Sequence, residues 1–160
     1  MRRTHLPLTT FLIAKAASAH LAFYKALAAA GVHIEDHTVT HPWMTKLGFP
    51  AQVSQWAANR SDEASWFAHP PGLGRPPYGA VSRSVRVAAH QAGLKALVMW
   101  SAQVSPGQGL TTWNRMPLAA GEIVLLHWDP GLGGELAIVL RAVHAAHLTP
   151  AYLTPQALGV

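Results

Sequence analysis

The chain has 160 residues, half of them apolar, with no cysteine and a net charge of +5. That length supplies one globular domain, residues 1–160, with a sizeable core. The missing thiols exclude both a disulfide framework and a thiolate zinc site, so a metal would have to be held by His, Asp or Glu. The basic balance comes from few acids, seven Asp and Glu against twelve Lys and Arg, and beyond Arg2-Arg3 at the start only Arg83 and Arg86 make anything like a cluster. This excludes the basic stripe that nucleic-acid binding needs, and leaves attraction to anionic polymers such as cell-wall glycans open.

Met1-Arg2-Arg3, the run from Leu6 to Ala14 and the small residues Ala17-Ser18-Ala19 imitate a secretory signal. The apolar run is short, and Pro7 and two threonines break it. Leu8 to Ile13 reads instead as a buried parallel strand, rich in β-branched and aromatic residues, and this is the preferred reading. No apolar run approaches the length of a membrane span. Ser18 to Ala30 carries a helical stripe of Leu21, Tyr24, Leu27 and Ala28, stopped by Gly31.

Val32 to Asp36 predicts a short strand, followed by His37-Thr38-Val39-Thr40-His41-Pro42 at its C-terminal end. Met44 to Asn59 predicts one or two helices, and Ser61 to Gly74 a loop-rich crossing. Arg75-Pro76-Pro77-Tyr78-Gly79 is a rigid segment, since two prolines fix its backbone. Val81 to Ala92 predicts a helix closed by Gly93, and Leu94 to Trp100 a strand. Ser101 to Gly121 reads as a loop with one helical turn, Glu122 to His127 as a strand, Leu132 to Ala146 as a helix and His147 to Leu153 as a last strand. Alternating strands and helices predict an α/β chain of parallel βα units.

Two imidazoles four residues apart on a short polar turn can close on one divalent ion, although alone such a pair is more often a pair of hydrogen-bonded histidines. It is followed, in order, by Arg75-Pro76-Pro77-Tyr78 and by Leu125-Leu126-His127. With these three motifs the chain resembles the polysaccharide deacetylase family, the NodB-homology domain of carbohydrate esterase family four. The family's H-[ST]-x-x-H motif is met by His37, Thr38 and His41, its R-x-P-Y type motif by Arg75, Pro77 and Tyr78, and its late L-x-H motif by Leu125 and His127.

The resemblance implies a distorted (β/α) barrel, incomplete at its N-terminal strand, that removes N- or O-acetyl groups from amino-sugar polymers with a divalent metal, zinc foremost. It implies that His37 and His41 are metal ligands and that the Tyr78 N–H helps hold an oxyanion. Leu125 would line the acetyl pocket, His127 would be the general acid, and Arg75 would orient a catalytic aspartate. Trp113 is a candidate wall of the sugar groove.

Two departures qualify this. The family's first motif, T-F-D-D-G, supplies the base and a third metal ligand. It is absent, since the first acid is Glu35. Asp36 is a poor substitute, because neighbours on a strand point to opposite faces. After Trp100 the family's Asp and Trp are replaced by Ser101-Ala102-Gln103-Val104. Either the chain lacks an upstream strand or it has lost hydrolysis, and in both cases it is expected to be a poor catalyst. The rival expectation is a non-catalytic glycan-binding module, or self-association through the sheet edge left by the missing strand. As written the chain reads as cytoplasmic; an upstream segment would make it extracellular or envelope-bound.

Overall fold

The computed structural model describes residues 6–105 and 107–159. Two compact units are present: one runs to Val98 and includes the segment from Ala151, and the other is Met99–Pro150. Arg2 and Arg3 of the signal-like stretch lie outside the described residues. Among those described, no helix is long and apolar enough to cross a membrane.

The first unit is a parallel sheet, in the order β1-β2-β3-β4, covered by helices. Strand β1 (Thr9–Leu12) pairs along its length with β2 (His33–Asp36), and the two-residue strands β3 (Leu73–Gly74) and β4 (Ala96–Leu97) complete it. The expected strand from Leu94 to Trp100 is thus much shorter. Between β1 and β2 the chain is helical as α1 (Ala14–Ala17), a 3₁₀ turn and α2 (Leu21–Ala29). Gly31 at φ +94° then reverses the chain, a conformation that only glycine adopts without cost.

Helix α3 (Phe49–Trp66) extends well past Asn59 into the segment expected to be loop. Its buried stripe is Gln52, Trp56, Asn59 and Glu63, spaced by three and four residues as a helix face requires. Helix α4 (Arg83–Gln91) begins at Ser82, whose hydroxyl accepts from the Val85 N–H at 3.2 Å, and ends before Gly93 at φ +91°. Such a cap contributes about 1 kcal/mol. Between α3 and α4 lies the core of Met44, Trp56, Val85, Ala88, Ala89 and Leu94.

Gly74 sits against that core. A Cβ there would meet Leu94 Cδ1 at 2.7 Å, Leu97 Cδ2 at 3.1 Å and Trp56 Cζ3 at 3.2 Å. The Gly74→Ala variant is therefore expected to lose about 1–3 kcal/mol in urea unfolding through overpacking.

In the second unit, Ser101 to Gly121 is not a plain loop. β5 (Ala102–Ser105) and β6 (Gly109–Thr112) form an antiparallel hairpin, and β7 (Val124–Leu125) pairs parallel to β5. Helix α5 (Leu132–Ala145) follows as expected.

The segment from His147 to Leu153 forms no strand. Pro150 has no N–H to give, and the Leu153 N–H donates to the Thr9 hydroxyl at 3.3 Å rather than to a neighbouring carbonyl. In the same segment Tyr152 stacks on His33, with ring centroids 4.0 Å apart.

Candidate active site

The site in the first unit is built on the C-terminal end of β2. Where the strand ends, Asp36 Oδ1 accepts the Thr38 N–H at 2.8 Å, and the Thr38 hydroxyl accepts the His41 N–H at 3.1 Å. Gln55 of α3 holds the outer side of the turn, its carbonyl oxygen accepting the N–H groups of Val39 and Thr40, each at 3.1 Å. These bonds sustain an unfavourable backbone: Thr38 lies at φ 69° and His41 at φ 58°. A left-handed conformation is costly for a β-branched residue, on the order of 1–3 kcal/mol, and strain of this kind gathers at functional sites.

The turn brings the two imidazoles together, with His37 Nε2 and His41 Nε2 3.1 Å apart. His37 Nδ1 lies 2.6 Å from the Arg75 carbonyl oxygen. A carbonyl only accepts, so Nδ1 carries the proton and His37 Nε2 presents a lone pair. Two nitrogens sharing one tetrahedral zinc at about 2.0–2.1 Å would be roughly 3.3 Å apart, so the pair is spaced for a common cation as well as for an imidazole hydrogen bond. A metal-ligating histidine anchored by a carbonyl through its other nitrogen is the usual supporting arrangement. The pair thus fits two positions of a metal site. Among the described residues, no group of three or more His, Cys, Asp or Glu is placed to complete one.

Asp36 does not fill the gap. It is fully buried, its Oδ1 takes the Thr38 N–H, and burial pushes its carboxyl well above the usual range. Beneath it Asn59 joins α3 to the sheet: its Oδ1 accepts the Ala14 N–H at 2.7 Å, and its Nδ2 donates to Leu12 O at 3.3 Å and Glu63 Oε1 at 3.0 Å. Burial first, and the Asp36 charge second, push Glu63 up to about 9. Glu35 is also raised by burial, against the lowering effect of the Leu73 and Gly72 N–H groups that it accepts at 2.6 and 2.8 Å.

Arg75 is not the surface cation it could have been. It is buried, with its guanidinium 4.2 Å from the centroid of the Phe11 ring, and desolvation lowers its pKa to about 10, which leaves it charged at neutral pH. Its contact with His37 runs through the backbone carbonyl, a link that side-chain motifs do not express. Tyr78 occupies the 3₁₀ turn Pro77–Gly79 at φ 58°, and its N–H meets no backbone acceptor among the described residues. The Tyr78 ring packs edge-on to His41, with centroids 4.5 Å apart, and stacks on Trp43 at 4.4 Å. Trp43 was not among the expected site residues.

The remaining expected residues lie in the second unit. Leu125 is half-buried in β7, and His127 is exposed just beyond it. Trp113 is exposed and donates its indole N–H to Trp100 O at 2.6 Å.

Comparison with known proteins places this arrangement. The family model described as polysaccharide deacetylase matches residues 1–97, more than half of the chain. The chain belongs to the polysaccharide deacetylase family. It is 28% identical over 138 residues to the uncharacterized protein SCO4760 of Streptomyces coelicolor, covering 86% of this chain and 55% of that protein. The chain therefore spans about half the length of the curated relative it matches.

Among solved structures it resembles the family 4 carbohydrate esterase of Streptomyces lividans in complex with acetate, with a TM-score of 0.80 and 24% identity over 96% of this chain and 83% of that one. It also resembles BA3943 of Bacillus anthracis, described as a CE4 family pseudoenzyme, with a TM-score of 0.78 and 18% identity over 96% of this chain and 56% of that one. These likenesses are in fold. The short parallel sheet of the first unit agrees with an incomplete sheet of that fold.

Proposed function

We propose that this chain is a polysaccharide-deacetylase-type hydrolase domain that keeps a two-histidine metal half-site but, in these 160 residues, catalyses poorly. The observation that supports this best is the His37–His41 pair, its Nε2 atoms 3.1 Å apart and its tautomer set by the Arg75 carbonyl. His37 and His41 would hold a divalent ion, zinc foremost, which when bound would polarise an acyl carbonyl and acidify water.

The chain's own groups do the rest. The left-handed Tyr78 peptide has an N–H without a backbone acceptor among the described residues, suited to an acyl oxygen that gains charge. Buried Arg75 fixes the carbonyl that orients His37. His127 would protonate the leaving amine, and Leu125 and Trp113 would contact the acetyl methyl and the sugar. What is missing is a general base: no acid precedes Glu35 in these 160 residues, and Asp36 is wholly buried with its Oδ1 on the Thr38 N–H. The substrate class is an acetylated amino-sugar polymer.

Acetate release from acetylated chitooligosaccharides with added zinc tests this. The expected rate lies far below the 1–10³ s⁻¹ of ordinary enzymes, and turnover within that range would refute the impairment. A second reading, a glycan-binding module without catalysis, is favoured by the half-exposed rings of Trp43 and Tyr78; sugar binding with no acetate release at all would select it.

A further inference from the structure

Trp43 and Tyr78 are 47% and 53% exposed, although the same chain buries Trp56 completely. Neither ring is loose. Trp43 lies between Pro42 and Met44, and the fully buried Met44 anchors the backbone into the core, so the indole is turned outward from a fixed point. Tyr78 is held in its left-handed turn between Pro77 and Gly79. The two rings stack at 4.4 Å with only 10° between their planes, and Tyr78 in turn meets the edge of His41. The result is a preordered flat apolar surface two ring contacts from the histidine pair. The Lys46 ammonium stands 5.4 Å from the indole centroid, on an exposed and flexible side chain.

From this geometry we propose that Trp43, braced by Tyr78, is a sugar-binding subsite beside the histidine pair, on which a pyranose ring of the glycan packs. The chemistry is complementary. A pyranose offers one face of C–H groups and a rim of hydroxyls. The indole offers a rigid apolar plane that loses little freedom on binding, and the Lys46 ammonium, which lies over that ring, offers three donors for the sugar oxygens once it swings aside. Lys46 has to leave the ring face for the sugar to pack there, and its exposed side chain is free of the core. The proposal rests on the glycan reading above and adds the residue that seats the sugar.

The test is calorimetric titration of the whole chain with chitotetraose, for the unaltered protein, Trp43→Ala and Trp43→Phe, with thermal unfolding as the check on folding. Trp43→Ala is expected to weaken binding at least tenfold. Trp43→Phe, which keeps a flat ring, should stay within a few-fold of the unaltered protein. Sugar binding of full strength in Trp43→Ala would overturn the subsite while leaving the glycan reading intact. No binding to the unaltered protein at millimolar sugar would overturn both.

Discussion

The fold is expected to lose stability steadily from pH 5 to pH 8, and Glu63→Gln to remove about one proton's worth of that slope. Glu63 is wholly inaccessible, its Oε1 receives only the Asn59 amide, and its Oε2 has no hydrogen-bond partner. Burial, reinforced by neighbouring Asp36, raises its pKa from 4.5 to about 9. A carboxyl raised in this way keeps a proton in the folded chain that the unfolded chain has released. Its contribution is therefore complete below about pH 4.5, and is lost as pH climbs through about 9. One proton corresponds to roughly 1.4 kcal/mol per pH unit, so three units remove about 4 kcal/mol. Asp36, raised by the same desolvation, adds to the slope in the same direction. The amide of Glu63→Gln cannot ionise and still accepts from Asn59. Urea unfolding at pH 5, 6.5 and 8 reads the difference. A stability that rises over this range would contradict the buried neutral carboxyl.

The second large effect is on metal affinity. With two imidazoles as the whole contribution of the described residues, removing either one leaves a single nitrogen, so His37→Ala and His41→Ala should each weaken zinc binding by on the order of 100-fold or more. Binding to the unaltered chain should weaken below about pH 6.5, where protonation of the imidazoles competes with the metal. Zinc titration with a chromophoric competitor measures both. An unchanged affinity in either variant would show that zinc binds elsewhere.

Much of this was legible in the residues, and the exceptions have physical reasons. Strands β1 and β2 and the stop at Gly31 follow from β-branched runs and a glycine that the backbone requires. The histidine turn follows from its position at the end of the short strand expected over Val32 to Asp36. Helix α3 was foreshortened because its inward stripe is Gln52, Trp56, Asn59 and Glu63: three polar residues on a buried face make no apolar period. The β5–β6 hairpin was concealed by its glycines and Pro106, although Val104, Thr111 and Thr112 carried a β-branched signal.

The last strand was over-read, since apolar residues around Pro150 suggest a ladder that a missing N–H and the Thr9 hydroxyl divert. Two features beside the histidine pair could not be singled out from the sequence. One is the Arg75 carbonyl on His37, a backbone contact without a residue-type signature. The other is Trp43, whose significance lies in an exposure that only the folded chain reveals.

The claim on which the rest depends is that His37 and His41 together form a metal half-site that no carboxylate among the described residues completes. X-ray absorption at the zinc edge, on protein loaded with one equivalent, tests it most directly. The account predicts two imidazole nitrogens with the remaining positions filled by water oxygens, and the nitrogen count falling to one in His41→Ala. Three or more imidazoles, or none, would contradict it.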